Sequence, residues 1–362
     1  MSQVITFKCP CCGGYLEFDP GTQRFKCLYC GQQLSEAELR EQSEHRQEEA
    51  EAAQAAPEAQ AAPETPAASV NPEQLKTYNC KMCGAEVFTT DTTAATRCFY
   101  CHSPIVLHDR LDDEFRPDGV IPFALDKKAA EKAFLDHIGK KTFIDRSFYD
   151  QAQLEMFSGV YHPYWYCDIE GNASFTGEGT RTSITSTPTH IVTTTRYFKV
   201  DREGKLSFRN LSRKALTKTD SKLAEGVHPY DVTKIEPYAS GYLSGFLAEK
   251  RDVDEEPAVS EMLNEASSMA GSMMKQGHTF NSLSGSTSFT PTKKDAKYVL
   301  LPTWVLTYKG KKGTEPYYYM MNGQTGRVCG RLPVNMKKLL SVAIGAGAAV
   351  MAILLVGGKF IW

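Results

Sequence analysis

The sequence predicts an α+β protein with two N-terminal zinc ribbons, a central antiparallel-sheet domain with helices, and one C-terminal transmembrane helix. Three observations carry that expectation: a doubled CxxC grammar at one end, β-rich segments interrupted by two amphipathic helical stretches, and an uncharged apolar run at the other end. A chain of 362 residues, 41% hydrophobic and 10% aromatic, is long enough for more than one folded unit with ample core. Its formal net charge of −2 gives the whole chain no polyanion-binding signature.

Eight of the 11 cysteines form CxxC pairs within the first 101 residues. Disulfide scaffolds are short secreted chains, whereas this one opens "MSQVITFKCP", without a basic-then-apolar leader, so reduced thiols and a cytosolic bulk are expected. The first copy, in residues 1–34, places Cys9 and Cys12 before Cys27 and Cys30. The second, in residues 77–108, places Cys80 and Cys83 before Cys98 and Cys101. Fourteen residues separate the pairs in each copy, and the offset between copies is 71 throughout. Four thiolates satisfy the tetrahedral preference of Zn²⁺, and a glycine after a knuckle (Gly13, Gly31, Gly84) relieves its turn. Between the first pairs, "YLEFDPGTQRFK" reads as strand, turn at Asp19-Pro20-Gly21, and strand. Two structural zinc ions are therefore expected. An iron site uses similar knuckles, and a thioredoxin-like pair would need a βαβ context that is absent. Cys11 is surplus, because its counterpart in the second copy is Met82.

Residues 35–76 are a linker with ten Glu against Arg40, Arg46 and Lys76, a net of −7. Its first half reads as a transient helix and its second, rich in Ala, Pro and Glu, as a semi-extended spacer. On this tether the first ribbon is expected to range over several nanometres in search of a partner. Acidic surroundings and few cations count against nucleic acid, which stands as the alternative ligand class.

Residues 109–336 form the expected α+β domain. "VIPFALDKKAAEKAFLDHIGKK" reads as a strand and then a helix capped by Asp126, with Ala130, Ala133, Phe134, His137 and Ile138 on one face. Four strand-like runs follow: "GVYHPYWYCDIEG", "NASFTGEGTRTS", "HIVTTTRYFKVD" and "GKLSFRNLS". Residues 254–276 are an amphipathic helix with Val259, Met262, Leu263, Ala266, Met269 and Met273 facing the core. Residues 297–330 give strand, turn, strand, a Gly-rich turn and a short strand. No phosphate-binding loop, nucleophile elbow or HExxH motif is present, Cys167 and Cys329 read as small apolar residues, and no enzymatic activity is expected.

Residues 339–358, "LLSVAIGAGAAVMAILLVGG", are twenty residues without a charge, enough to cross about 30 Å of hydrocarbon at 1.5 Å per residue. Before them, residues 293–338 hold ten Lys/Arg against Asp295 and Glu315, a net of +8 that includes Arg327, Arg331, Lys337 and Lys338 as membrane-flanking cations. The positive-inside rule then puts everything before the span in the cytosol, against anionic inner-leaflet lipid, in a single-pass inner-membrane protein anchored by residues 337–362. Ala343, Gly345, Gly347 and Ala349 supply small pairs compatible with a homo-oligomer.

At "GVYHPYWYCDIEG" and "LLPTWVLTYKGKK…YYYMMNGQTGRVCGRLP" the chain resembles a bacterial family of membrane-anchored zinc-ribbon proteins, often labelled zinc-ribbon or replication/helicase-like. The doubled ribbon and single span look like its YdjG-like subgroup. That resemblance implies partnership with flotillin-type (SPFH) membrane scaffolds in envelope-stress response. With no ATPase motif in this chain, a helicase role does not carry over. The expected function is a cytosol-facing adaptor that docks protein partners at the membrane.

Overall fold

The computed structural model describes residues 4–5, 9–38, 76–79, 86–89, 92–97, 104–107, 115–141, 143–144, 157–217, 221–277, 279–308, 317–330 and 334–361. In chain order the elements are β1 (Val4–Ile5), β2 (Leu16–Asp19), β3 (Arg24–Cys27), β4 (Gln33–Leu34), β5 (Lys76–Asn79), β6 (Glu86–Thr89), β7 (Thr93–Arg97), β8 (Pro104–Leu107) and β9 (Gly119–Val120). Next come α1 (Lys127–Gly139), β10 (Ser158–Ser186), β11 (Ile191–Lys214), α2 (Ser221–Gly226), β12 (Glu236–Pro237), β13 (Leu247–Glu249) and α3 (Glu255–Met274). The chain closes with β14 (Ser282–Tyr308), β15 (Tyr317–Asn322), β16 (Val328–Gly330) and α4 (Met336–Ile361).

One large sheet organises the body, in the order β1-β8-β7-β13-β10-β14-β15-β16, with β11 on β10 and β9 on β14. The expected antiparallel sheet is in fact mixed. β13 lies parallel to β10 (Val160 opposite Leu247) and β9 parallel to β14 (Val299 opposite Gly119). Both intruders are strands of two or three residues. They are delivered by long connections, the route by which a parallel neighbour can be reached.

The centre of the sheet is a three-stranded ribbon of β11, β10 and β14. Strand β10 runs 29 residues, roughly 90 Å at the usual rise per residue. The four runs read separately from sequence are thus two long strands, and Gly171 and Gly177 lie inside β10. They let neighbours come close: a Cβ on Gly171 would lie 2.6 Å from the Phe289 ring, and one on Gly177 would lie 2.1 Å from the Ser284 carbonyl.

Alternation decides what covers each face. Trp165, Cys167, Ile169, Ala173 and Phe175 point one way and are buried. Helix α3 lies over them with Ala258, Val259, Met262, Ala266, Ala270 and Met274 buried. Met269 and Met273, expected in that face, are 38% and 48% exposed. Small alanines at the contact let the helix axis approach the ribbon, so the long methionines turn outward. On the other face of the base, Tyr164 and Tyr166 pack with Ile121, Val227, Tyr230, Val299 and Leu301. Towards the hairpin tip both faces open, and Ile184, Ile191 and Tyr197 are exposed.

Helix α1 follows expectation. Asp126 caps it by accepting from the Ala129 N–H at 2.7 Å, and Ala130, Phe134 and Ile138 are buried. The segment after α1 ties down the entry to α4: Ile144 bridges Val334, and the Asn335 N–H donates to the Phe143 carbonyl at 2.7 Å.

Candidate metal centre and membrane anchor

The first cysteine module folds as β2–β3–β4, with the expected turn at Asp19 held by the Gly21 N–H donating to Asp19 Oδ1 at 3.0 Å. Its two knuckles are built alike. The Gly13 N–H donates to the Cys9 carbonyl at 2.9 Å, and the Gly31 N–H to the Cys27 carbonyl at 3.1 Å. Both glycines take positive φ, +70° and +75°, where a side chain would be strained. Each knuckle therefore presents its two sulfurs to the same point in space.

The sulfurs of Cys9, Cys12, Cys27 and Cys30 all lie within 4.8 Å of one another. Cys9 Sγ is 3.6 Å from Cys30 Sγ, and Cys12 Sγ is 3.5 Å from Cys27 Sγ. A tetrahedron with metal–sulfur bonds of about 2.3 Å has edges of about 3.8 Å, so the donor set fits a single ion. Burial opposes ionisation of the Cys27 thiol, but the N–H groups of Cys30 and Tyr29 and the adjoining thiols outweigh it, drawing it down to about 6. The Gln32 N–H lowers the Cys30 thiol, yet Cys12, burial and the other thiols push it up to about 12. One negative sulfur thus discourages the next, and a divalent cation is the charge that lets all four ionise together. Cys11 stands outside the cluster, exposed, with its thiol donating to Gln32 Oε1 at 3.2 Å.

This is the one four-cysteine cluster among the described residues. Cys80, Cys83, Cys98 and Cys101 lie outside them. The strands on either side are described. β5 pairs with β6 (Asn79 opposite Glu86), and β7 pairs with β8 (Arg97 opposite Pro104), so each CxxC of the second copy falls in the connection of a two-stranded hairpin.

The first module does not range freely. Its core residues Leu16, Phe18, Phe25 and Leu34 belong to the same buried cluster as Phe123, Tyr242 and Leu243 of the body. The Phe18 N–H donates to the Ser244 carbonyl at 3.1 Å, and Ser244 Oγ donates to the Leu16 carbonyl at 2.5 Å. Gln23 Nε2 donates to the Phe123 carbonyl at 2.8 Å, Tyr242 Oη to Glu36 Oε2 at 2.5 Å, and Arg97 pairs with Glu17 at 3.2 Å. The reason is size: a module this small cannot bury a core alone and borrows one. Nothing in the sequence pattern marks these seating residues, because their partners lie about 80 to 230 positions away. Of the linker, Ser35 and Glu38 form a reciprocal cap at the start of a helical turn, and residues 39–75 lie outside the described part.

At the other end, α4 contains a stretch, Met336–Leu354, long and apolar enough to span a membrane, and none of it is buried against the body. Asn335 caps it by accepting from the Lys338 N–H at 3.1 Å. Lys337 and Lys338 are exposed in its first turn, a position the helix dipole disfavours for cations. Arg327 is exposed beside a turn, and Arg331 lies outside the described residues.

The motifs behind the family resemblance prove to be joints of the body. Asn322 of "NGQTG" is fully buried, accepts from the Gln324 and Thr325 N–H groups at 2.9 Å, and donates to the carbonyls of Val227 and Pro229. In "YHPYW", Tyr164 Oη donates to the Ala224 carbonyl at 3.1 Å and Trp165 Nε1 to the Val253 carbonyl at 2.9 Å. Both motifs hold loops to the sheet.

No family model matches the chain, and no solved structure matches it. The chain is 28% identical over 369 residues to "Uncharacterized protein YdjG" of Bacillus subtilis (strain 168), across 99% of this chain and 100% of that protein. The similarity runs from the cysteine module through the body to the apolar helix, which makes the chain a distant homologue of that bacterial protein.

Proposed function

We propose that this protein is a membrane-anchored zinc adaptor. Zinc at Cys9, Cys12, Cys27 and Cys30 crosslinks the two knuckles and leaves no open coordination position, which suits a structural rather than a catalytic ion. A second zinc is assigned to Cys80, Cys83, Cys98 and Cys101 by the repeat in the sequence. Helix α4 crosses the inner membrane with the body in the cytosol, and Arg327, Arg331, Lys337 and Lys338 meet anionic lipid headgroups. The body then presents the cysteine modules to protein partners at the membrane, of the flotillin (SPFH) type that the sequence resemblance implies. The observation that carries the reading is one continuous scaffold. The four-thiol cluster is stitched to the sheet, and the body is tied through Ile144 and Val334 to an apolar helix whose Met336–Leu354 stretch is not buried against it.

The test is detergent extraction of the intact protein from membranes, followed by metal analysis and in-membrane crosslinking with mass spectrometry. Two zinc per chain and nuclease-resistant crosslinks to a membrane scaffold protein are expected. Iron in place of zinc would overturn the metal assignment. Salt-sensitive binding of oligonucleotides by the intact protein, with no protein crosslinks, would overturn the adaptor.

A further inference from the structure

Strand β11 is paired with β10 along one edge, and among the described residues no strand pairs with its other edge. Residues 191–199 are exposed throughout, including Ile191, Val192 and Tyr197 at 74%, 51% and 73%. Soluble proteins usually guard such an edge with a proline, a bulge, a short length or a covering segment. Here Ile191–Lys214 contains no proline, and its register with β10 is unbroken from Leu206 to Ile191. A long, regular row of outward N–H and C=O groups is left available for another strand.

The charges on that edge select the partner. A two-fold contact between identical edges requires antiparallel strands, and opposed residues must come from the same face, so allowed registers move in steps of two residues. Centring the axis on Lys199 or on Asp201 would oppose like charges. Centring it on Val200 sets Lys199 against Asp201 of the second copy, and the reverse pair on the other side of the axis. The same register puts Tyr197 opposite Glu203, and Arg196 opposite Gly204, with no like charges facing each other. Lys199 Nζ already lies 3.2 Å from Asp201 Oδ2 within one chain, their side chains 77% and 55% exposed, so both project on one face and reach outward. The axis of such a pair stands perpendicular to the sheet.

We infer that the outer edge of β11 is the interface of a homodimer in which two copies pair antiparallel about Val200 and continue the sheet across the two-fold axis. Opposed Lys–Asp pairs fix the register, and backbone hydrogen bonds supply the contact.

The experiment uses the full-length protein in detergent and in vesicles, with mass by light scattering and disulfide mapping after mild oxidation. A Val200→Cys variant is expected to form a symmetric interchain disulfide through position 200, and Lys205→Cys is not. Lys199→Asp, which opposes two carboxylates on each side of the axis, is expected to weaken dimerisation at least about tenfold. The double exchange Lys199→Asp with Asp201→Lys is expected to restore it. Both positions are exposed, so an unchanged thermal unfolding midpoint of the body serves as the check of folding. A chain that stays monomeric at all concentrations would overturn the inference. So would a dimer indifferent to Lys199→Asp, as one held through α4 alone would be, or a co-purifying foreign peptide crosslinked along β11.

Discussion

The cysteine module and the long ribbon reach order by opposite means. The module has a handful of buried apolar residues (Tyr15, Leu16, Phe18, Phe25 and Leu34) and rests the remainder of its stability on four thiols and on the loop around Tyr242. The ribbon has no special chemistry. It is built from alternation over 29-, 24- and 27-residue strands and the alanine-faced helix laid across them. Removing one atom type should therefore collapse the first and leave the second, and the converse should hold for a cavity.

The largest effect is expected from Cys27→Ser. Structural zinc supplies about 10–16 kcal/mol to small zinc modules near neutral pH, so losing a ligand removes most of what folds this one. The metal content should fall by one equivalent. Hydrogen exchange should quicken in 9–38 and also in 240–246, because the Ser244 carbonyl accepts from Phe18. Amides of β10 and β14 should keep their protection. If the 240–246 loop were unaffected, the seat described for the module would be wrong.

Phe175→Ala is the mirror experiment. Phe175 is 1% exposed beneath α3, and truncating a buried phenylalanine costs about 3–5 kcal/mol. Thermal unfolding of the body should drop by several degrees while zinc stoichiometry is unchanged. Loss of metal together with stability would show that the two regions are one cooperative unit.

A third difference is set by pH. Burial, and then the nearby Arg327, hold the His228 imidazole at about 4, below its ordinary value of 6.5. The folded state thus binds this proton less readily than the unfolded chain. The contribution is whole above about pH 6.5 and is lost as pH falls towards 4, at up to about 1.4 kcal/mol per pH unit. His228 lies between the Tyr164 and Tyr230 rings, at 5.0 and 5.2 Å, and His228→Phe keeps an aromatic ring there. Stability measured from pH 7 to 4 should fall less steeply in the variant. Protonation of the clustered cysteine thiolates occurs in both proteins and cancels in the comparison. Parallel curves would mean that His228 is not the group involved.

What was legible in the sequence was local. CxxC spacing, the Asp19 turn, the Asp126 cap and the apolar span each act within a few residues, so pattern alone exposes them. The run boundary at Gly171 falls inside β10, because a glycine there admits the Phe289 ring as a close neighbour rather than ending the strand. The helix face was set by approach distance rather than hydrophobicity, which put Ala270 inside and Met273 outside. The seat of the cysteine module was illegible because Glu36 meets Tyr242 and Leu16 meets Ser244 at separations of 206 and 228 residues. No periodicity records a contact of that range.

Replacing Cys11 is expected to change the module least. Cys11 sits one residue before a ligand, yet its thiol points to Gln32 and its side chain is exposed. Replacing it with serine keeps a donor for Gln32 Oε1 and leaves both knuckle turns, and the carbonyls of Cys9 and Cys27 that close them, untouched. Cys11→Ser should therefore match the parent in zinc content and in exchange of 9–38, where Cys12→Ser loses one equivalent. The two substitutions are adjacent and chemically identical, so any difference between them reports knuckle geometry alone. If Cys11→Ser also released zinc, the module would be using a shifted ligand set, and the pairing of Cys12 with Cys27 across the cluster would have to be abandoned.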